Sequence, residues 1–354
     1  GGATDLKLVL LNGAPVYAPF HIGGLINAMD ADMLRSANLY MGGAPARYDG
    51  GLSYVMEMET RSARNAVPHG ELGLDMLSGR ALLEGPVGEN LSVIVGTRVV
   101  HGEGPRSIMR AVFPYAYGDA IGRTDVVLGP HHVLTATAFW NHERVDLDSL
   151  ANRPQAATWG NHAGSLRYRS RIGATEMMAT AALGRFRTLL PLGGIRPLSA
   201  EGTAMRTRFN MDMERSIAGG RFFWGGSFER MSFEYRAFEQ AVSRDSSIVS
   251  SRAEGDVAGL YGEAAYTLAP RVSVRGGLRA DMFSTEQSIH FAPRFAATML
   301  LTDRVSLTMS GGKYRQYVRA PERSSSIGIV PAKPACAAAA RASASRNASV
   351  IPCA

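Results

Sequence analysis

Apolar and polar residues alternate through most of the chain after His69, in segments of about ten residues that turn residues separate. One segment places Thr207, Phe209, Met211 and Met213 on one face and Arg206, Arg208, Asn210, Asp212 and Glu214 on the other. Another sets Val272, Val274, Leu278, Ala280 and Met282 against Arg271, Ser273, Arg275, Arg279 and Asp281. A period of two predicts β-strands whose two faces meet different surroundings.

Turn signals and longer irregular stretches separate these predicted strands. Short signals occur at residues 85–86, 129–130, 218–220, 269–270 and 302–303. Longer stretches cover residues 102–114, 146–158, 189–201 and 239–254. We expect about twelve antiparallel strands between residues 69 and 318, with neighbours in sequence paired in space. Short turns that alternate with long loops are typical of barrels that cross an outer membrane.

The first 65 residues follow a different pattern. Residues 6–11 predict a short buried strand that stops at Asn12-Gly13. Asp30 or Asp32 can cap one helical turn, and residues 36–41 then predict a strand. Gly42-Gly43 gives the backbone freedom to turn, and residues 52–60 predict the returning strand. The expected unit is a strand, a tight glycine-bounded loop and a strand.

Composition narrows the class of protein. The 354 residues carry a formal charge of +7 that is almost entirely arginine, spread beside Asp and Glu rather than clustered, so no nucleic-acid partner is predicted. No apolar run reaches the roughly 18 residues of a spanning helix, which leaves a barrel as the way to cross a bilayer. The two cysteines, Cys336 and Cys353, lie in the tail and predict no disulfide framework.

The sequence contains no recognisable catalytic or metal-binding motif. Its eight histidines are scattered, and no H-E-x-x-H, paired C-x-x-C, G-x-S-x-G or phosphate-cradling loop occurs. We therefore predict no catalytic residues, no metal site, no cofactor and no enzyme activity. An outer-membrane hydrolase remains the less favoured alternative, since neighbouring strands can bring a nucleophile and a base together.

Residues 32–55 resemble the C-terminal half of the plug domain of TonB-dependent outer-membrane receptors. The matching positions are Asp32, Ser36, Leu39, Tyr40, Gly42, Gly43, Pro45, Ala46, Arg47, Tyr48, Gly50, Leu52, Ser53 and Val55. Residues 10–25, LLNGAPVYAPFHIGGL, are similar to the segment that precedes them in that family. The chain departs from the family pattern at Asn12, Asn38, Met41 and Asp49.

The resemblance implies an all-β membrane protein: a partial antiparallel outer-membrane β-barrel of about twelve of about 22 strands, with a truncated plug domain. It implies a bacterial outer-membrane location and contact with outer-membrane lipid. Its expected function is uptake of a large nutrient ligand such as a siderophore, a cobalamin-like cofactor or an oligosaccharide, energised by the inner-membrane partner TonB. A passive porin-like or structural barrel is the main alternative, but it would need no plug.

Three regions follow from these patterns. Residues 1–67 are expected to form the C-terminal half of the plug, and residues 68–320 the first strands of the barrel. Residues 321–354 form an Ala/Ser/Arg-rich tail that we expect to be disordered or a truncation artefact. A signal peptide, the first half of the plug and the TonB box are expected to precede residue 1.

Three sets of plug residues are candidates for the functional site. The plug motif comprises Gly42, Gly43, Pro45, Arg47, Tyr48, Gly50 and Gly51. Tyr17, Phe20 and His21 either pack the plug against the barrel wall or face the solute. Arg47, Glu57, Glu59 and Arg61 are expected to form ion pairs between plug and wall. On the wall, Arg206, Arg208, Asp212, Arg271, Arg275, Arg279 and Asp281 should face the lumen, and Phe209, Met211, Val274 and Leu278 the lipid.

Overall fold

The computed structural model describes residues 7–21, 26–50, 54–64, 66–100, 114–147, 156–192, 198–239, 247–284, 286, 288–315, 335–342 and 351–352. Nearly all of them lie in strands or in the turns between strands. In this part of the chain no helix has both the length and the apolar character needed to span a membrane.

The N-terminal part forms a small mixed sheet, which we call the plug sheet. Its strands are β1 (Lys7–Leu11), β2 (Ala14–Pro15), β5 (Leu34–Tyr40) and β6 (Tyr54–Thr60), in the order β2-β1-β6-β5. β1 runs parallel to β6. A separate pair joins β3 (Phe20–His21) to β4 (Ile26–Asn27). A single 3-10 turn, Ala31–Met33, precedes β5, and the Asp30 carboxylate accepts a hydrogen bond from the Asp32 N–H at 3.0 Å.

The remaining strands form one large antiparallel sheet, the wall, in which each strand pairs with the next in sequence. From His69 to Tyr314 there are thirteen of them: β7 (His69–Leu74), β8 (Ser78–Pro86), β9 (Leu91–Val100), β10 (Tyr115–Gly129), β11 (His132–Asp146), β12 (Ala156–Ile172), β13 (Thr175–Leu192), β14 (Leu198–Ile217), β15 (Gly220–Glu239), β16 (Ser247–Ala269), β17 (Val272–Phe283), β18 (Ile289–Thr302) and β19 (Val305–Tyr314). The expected meander is observed.

Short turns join the strands at one end of the wall. Four two-residue turns lie where the sequence predicted them, after Gly129, Ile217, Ala269 and Thr302. The predicted turn at residues 85–86 falls inside β8, and residues 87–90 connect β8 to β9 instead. A fifth two-residue turn, between Ile172 and Thr175, was not predicted; it contains Gly173 at φ 60°. At the other end the strands extend beyond the predicted boundaries of the long loops, because β12 begins at Ala156 and β16 at Ser247. Main-chain pairing continues there after the outward side chains become polar.

The two faces of the wall differ as the alternation predicted. Phe209 and Leu278 point outward and are 51% and 48% exposed, whereas Arg208 and Arg279 point toward the plug and are buried. Arg271 is an exception, since it lies in the turn before β17 and its guanidinium pairs with the exposed Asp303 at 3.1 Å. A residue in a turn is not bound by strand alternation, so the prediction that Arg271 faces the lumen was wrong.

The wall curves around the plug, and the apolar core lies between the two. Met33 and Met58 of the plug are fully buried in one cluster with Ile94, Ile121 and Phe139 of the wall. Burial of each large side chain in such a cluster contributes about 1.5–3 kcal/mol. A second cluster joins Leu8, Leu10, Tyr48 and Val55 to Tyr314 of the last of these strands. Because strands as far apart as β9 and β19 contact the same small sheet, the wall is strongly curved.

Part of the tail differs from expectation. β20 (Ala335–Ala342) pairs antiparallel with β19, and β21 (Ile351–Pro352) pairs with β20. An edge strand offers a row of main-chain donors and acceptors, which an alanine-rich segment satisfies as well as any other. The expectation of a tail without strands was therefore wrong for these residues. The proposed boundaries after residues 67 and 320 stay predictions.

Candidate functional site: the plug loop and the arginines that hold it

The loop between β5 and β6 turns on two glycines. Gly42 and Gly43 have φ values of 100° and 65°, a region that L side chains rarely adopt. A Cβ on Gly43 would lie 2.5 Å from the Cβ of Ser310 on β19. Conformation and space therefore both require glycine at position 43. We call residues 41–50 the plug loop.

Arginines from the wall bind the carbonyl groups of the plug loop. The Arg294 guanidinium donates to the carbonyls of Pro45 and Tyr48, the latter at 2.7 Å. The Arg275 guanidinium donates to the carbonyl of Gly43. Within the loop the Tyr48 N–H binds the Pro45 carbonyl at 3.2 Å, but leaving the other main-chain polar groups unpaired when buried is costly. These arginines supply the missing partners.

Arg279 holds the middle of the loop. Its Nη1 lies 3.4 Å from the carbonyl oxygen of Ala46 and 3.3 Å from that of Arg47. Asp281 and Ser227 fix the guanidinium from behind, each through a hydrogen bond of 2.7 Å. Arg279 has no exposed surface, so these contacts are made in a site that water does not reach.

One wall carboxylate accepts a hydrogen bond from a main-chain N–H of the loop. Glu263 accepts a hydrogen bond from the N–H of Ala46 at 2.8 Å. Its other oxygen lies 3.6 Å from the guanidinium of Arg275. Arg208, Arg275, Arg279 and Arg294, together with Glu263, are named the arginine cradle below.

An ionic chain closes the C-terminal end of the loop. The Asp49 carboxylate lies 3.0 Å from Arg208, which also pairs with Glu229. Arg206 donates to the same Glu229 at 2.7 Å. Burial alone would raise the pKa of Asp49, but Arg208, Arg279 and Arg206 outweigh it and hold that pKa well below its usual range. Asp49 is therefore charged when the plug is seated.

Arg47 has its ion-pair partner inside the plug rather than on the wall. Its guanidinium lies 2.6 Å from Glu57 and stacks on the Tyr48 ring at 4.8 Å. The Tyr48 hydroxyl donates to the same Glu57. The expectation that Arg47 pairs with the wall was wrong, because the loop folds its side chain back over β6. The wall meets the Arg47 carbonyl instead.

The other three candidate ion-pair residues lie against the wall. Arg61 donates to Glu84 on β8 at 2.5 Å, and both side chains are buried. Glu59 lies 3.3 Å from Arg167 on β12, and Glu57 lies 3.8 Å from the same arginine. Burial would raise the pKa of Glu59, but hydrogen bonds from Arg35 and Arg167 lower it.

Tyr17 lies between β2 and β3 of the plug, and Phe20 begins β3. The Asn161 side chain binds the main chain of Tyr17 twice, at 2.8 Å to its N–H and 2.6 Å to its carbonyl. The Tyr17 ring lies 5.7 Å from Phe186, and Phe20 is half-buried. A solute-facing role for Tyr17 and Phe20 stays a prediction.

The side chain of His21 is held by the wall. Its Nε2 lies 3.1 Å from Asp119 and its Nδ1 3.2 Å from Glu143, and its ring stacks on Tyr117 at 4.1 Å. Burial would lower the pKa of His21, but the hydrogen bonds to the two carboxylates outweigh it, so the pKa is raised. His21 has no exposed surface, which favours the packing interpretation. A solute-facing role for His21 stays a prediction.

Several residues of the site were not singled out from the sequence. Arg294 and Glu263 lie on strands whose register decides whether they reach the loop. Asn12 donates to Thr60 and to Thr137 of β11 at 2.7 Å, and its φ of 46° suits the tolerance of asparagine for this conformation. The Asn12-Gly13 pair, which favours a positive φ, was the one signal for it in the sequence. Gly50 is buried in the loop, and Gly51 lies outside the described residues.

Residues 106–341 match the family model described as "TonB dependent receptor-like, beta-barrel". This chain belongs to the TonB-dependent receptor family. The match covers most of the wall and is independent of the plug residues that carry the sequence resemblance. It also bears out the bacterial outer-membrane location, because receptors of this family are outer-membrane proteins.

Solved structures of receptors share the fold. The ferric enterobactin receptor PfeA of Pseudomonas aeruginosa superposes with a TM-score of 0.65 at 17% identity, covering 90% of this chain and 55% of that one. The siderophore receptor PirA of Acinetobacter baumannii gives 0.62 at 15% identity, with 89% and 54% covered. The alcaligin outer-membrane receptor FauA of Bordetella pertussis gives 0.63 at 14% identity, with 95% and 58% covered.

The comparisons confirm the predicted fold class of a partial antiparallel outer-membrane barrel. The receptor chain spans little more than half the length of these three structures. No curated protein matches it. The family consists of transport receptors and not of enzymes. In the described part of the chain, no group of His, Cys, Asp and Glu side chains is placed to hold a metal ion.

Proposed function

We propose that the receptor of which this chain is a part takes up a large, scarce solute across the outer membrane, and that TonB supplies the work that moves the plug. The observation that carries the proposal is the arginine cradle. It holds the loop that closes the barrel through contacts that must break before a large solute can pass.

The strength of these contacts favours an energised mechanism over passive diffusion. Eight contacts join residues 43–49 to the wall through Arg208, Glu263, Arg275, Arg279 and Arg294. Nη1 of Arg279 and Nη1 of Arg294 each reach two carbonyls, so these contacts amount to six independent hydrogen bonds or ion pairs. At about 1.5 kcal/mol for each of these six interactions with a charged group, they sum to roughly 9 kcal/mol. Each 1.4 kcal/mol is a factor of ten in an equilibrium constant, so the loop would be released spontaneously in about one molecule in a million. A passive porin would not be built this way.

The solute that we propose first is a ferric siderophore. The structures with the same fold that are named above are receptors for ferric enterobactin, siderophores and alcaligin. A cobalamin-like cofactor or an oligosaccharide are the alternatives, and none of the three requires the protein to change a bond in the solute.

The test uses the gene in its own host. The gene is deleted, and growth in iron-depleted medium is measured with a panel of ferric siderophores, then with cobalamin and oligosaccharides as sole sources. We expect loss of growth on one solute, restored by the wild-type gene only in cells that have TonB. Restoration without TonB would support a passive barrel instead. Chemical change of the solute by the purified receptor would support a hydrolase.

A further inference from the structure

A polar cavity lies between the plug and the wall, at the end of the wall where the short turns are. Its volume is about 570 Å³. Residues 39–43 line it on the plug side, and strands β15 to β19 line it on the wall side. Gly220 follows one short turn directly, and Thr267 and Ser273 lie close to another. Short turns face the periplasm in such barrels, so we call this space the periplasmic cavity.

The plug loop separates the periplasmic cavity from the rest of the lumen. Gly43 lines the cavity, and so does Arg275, whose guanidinium donates to the Gly43 carbonyl. Ser310 also lines it and touches the same glycine, since a Cβ on Gly43 would lie 2.5 Å from the Ser310 Cβ. Arg279 and Arg294 hold the next residues of the loop farther from the short turns. Release of the loop from the cradle would therefore join the cavity to the lumen beyond it.

The plug packs tightly against another part of the wall, strands β9 to β13. On β13, a Cβ at Gly184 would lie 2.0 Å from the carbonyl oxygen of Pro15, so main chain meets main chain there. On the earlier strands, Met33 of the plug shares one apolar cluster with Ile94 and Phe139. Parting the plug from these strands would expose apolar surface to water, which is unfavourable. Separation along β16 to β19 avoids that cost.

Hydroxyl side chains dominate the wall side of the periplasmic cavity. They are Thr267, Ser273, Thr298, Thr308 and Ser310. Each cationic group of the lining is close to a carboxylate, Arg221 at 3.0 Å from Glu214 and Arg275 at 3.6 Å from Glu263. A neutral hydroxyl both donates and accepts, and the net strength of each such hydrogen bond is modest. A passage must bind its solute weakly enough for the solute to leave, and this lining meets that condition.

We propose that the solute leaves the receptor through the periplasmic cavity, along β16 to β19, once TonB has drawn the plug loop out of the arginine cradle. This exit rests on the proposed function and adds to it the side of the plug on which plug and wall part. The cavity already has a volume within the range of about 300–1,000 Å³ that is typical of pockets for small molecules. A displacement of residues 39–43 enlarges it, while the contacts of the plug with β9 to β13 stay in place.

The test narrows the periplasmic cavity without changing the cradle. Thr298 and Thr308 lie opposite each other on neighbouring strands, with their hydroxyl oxygens 3.2 Å apart, and both line the cavity. The cavity variant is therefore Thr298→Trp, Thr308→Trp. The matched control is Met299→Trp, Met309→Trp, which changes the next residue on each strand. Both methionines are exposed on the outer face of the wall.

Full-length receptor is expressed in the deletion host, and the probes are radiolabelled ferric enterobactin, ferric alcaligin, cobalamin and maltodextrin. Surface binding is measured in cells without TonB, and the initial rate of uptake in cells with TonB. We expect the cavity variant to bind the imported probe as the wild type does but to take it up about tenfold more slowly, because two indole rings form an apolar constriction. The control variant should match the wild type in both measurements.

The outcomes separate the exit from the proposed function. Uptake by the cavity variant at the wild-type rate would overturn the exit and leave the proposed function standing. Equal losses of binding and uptake would also overturn it, since they would place the effect at the site where the solute first binds. Wild-type cells that contain TonB and take up none of the four probes would contradict the proposed function itself.

A second variant applies if the two indole rings prevent folding. Thr308→Cys is a small change and should transport normally until a bulky methanethiosulfonate reagent attaches to it, after which dithiothreitol should restore uptake. Met309→Cys is the control for a group attached on the lipid side, and treated wild-type receptor controls for Cys336 and Cys353. Uptake that the attached group does not slow would overturn the exit in a receptor already known to be folded. Heat-modifiable gel mobility checks the barrel of every variant.

Discussion

Replacement of Asp49 by asparagine should loosen the plug loop without unfolding the barrel. Asp49 is 8% exposed, and its carboxylate lies 3.0 Å from Arg208. Asparagine keeps the shape and one acceptor oxygen but removes the charge. Arg208 keeps its second partner, Glu229, so the guanidinium is not left alone.

The size of the effect follows from that geometry. Breaking a buried ion pair by removing one partner costs about 3–5 kcal/mol when the other charge is left uncompensated. Because Glu229 compensates Arg208, we expect about half of the middle of that range, which is about 2 kcal/mol. Each 1.4 kcal/mol is a factor of ten, so the loop should open about 30 times more often.

Amide hydrogen exchange of residues 44–50, measured on the full-length receptor in detergent at neutral pH, reads this opening directly. Asp303→Asn is the matched control, because it removes an equivalent charge from the exposed Arg271 pair and should change exchange less than twofold. Unchanged exchange in Asp49→Asn would refute the argument that this pair holds the loop. Equal acceleration in both variants would attribute the effect to net charge.

The pH dependence gives a second check on the same pair. The pKa of Asp49 is lowered in the folded receptor, so its contribution is present above the ordinary aspartate pKa of about 4. It is lost only as the pH falls through the lowered value. Protection of the loop by this pair should therefore be constant between about pH 5 and 8.

Three further outcomes are expected. Gly43→Ala should destabilise the loop by about 1–2 kcal/mol from its positive φ alone, before the contact with Ser310 is counted. Gly50→Ala should be tolerated, because a Cβ at that position meets open space. Amide exchange of residues 44–50 measures both effects. The pKa of His21 is raised in the folded receptor, so its contribution to stability is complete below about pH 6.5 and is lost as the pH rises through the higher folded value. Amide exchange at residues 20–21 should therefore accelerate in mild alkali in the wild-type receptor but not in His21→Gln. That comparison leaves unchanged the polar groups around His21 and around its two carboxylate partners, which are Asp119, Glu143, Arg98, Tyr115 and Asn141. Glu84→Gln should weaken the Arg61 pair by about 1–3 kcal/mol and speed trypsin cleavage after Arg61 in the folded receptor, and protection equal to that of the wild type would contradict that role.

Local chemistry in the sequence predicted local structure well. Alternation placed Arg208 inside and Phe209 outside, and the Gly42-Gly43 pair predicted the turn that the loop makes. The cap at Asp30 was also predictable, because an aspartate two residues before a free N–H is a local arrangement. These features depend on residues within a few positions of one another.

The partners of the loop depend instead on register around the whole wall. Arg294 is 246 residues from Tyr48 in sequence, and a shift of one residue in β18 would turn it to the lipid face. Arg47 was assigned to the wall because charge alone does not show which way a side chain folds. Arg271 was assigned to the lumen because alternation was extended one residue past the end of its strand.

Three arginines of the cradle, Arg275, Arg279 and Arg294, bind main-chain carbonyls of the loop rather than its side chains. Every amino acid carries the carbonyl oxygen that Arg279 and Arg294 bind, so these bonds constrain the path of the backbone and not the side chains of residues 44–46. Packing still limits their size, since Ala44 and Ala46 are buried. A plug loop transplanted from a distant receptor should seat in this barrel, provided that it keeps glycine at position 43, small residues at positions 44 and 46, and a carboxylate at position 49.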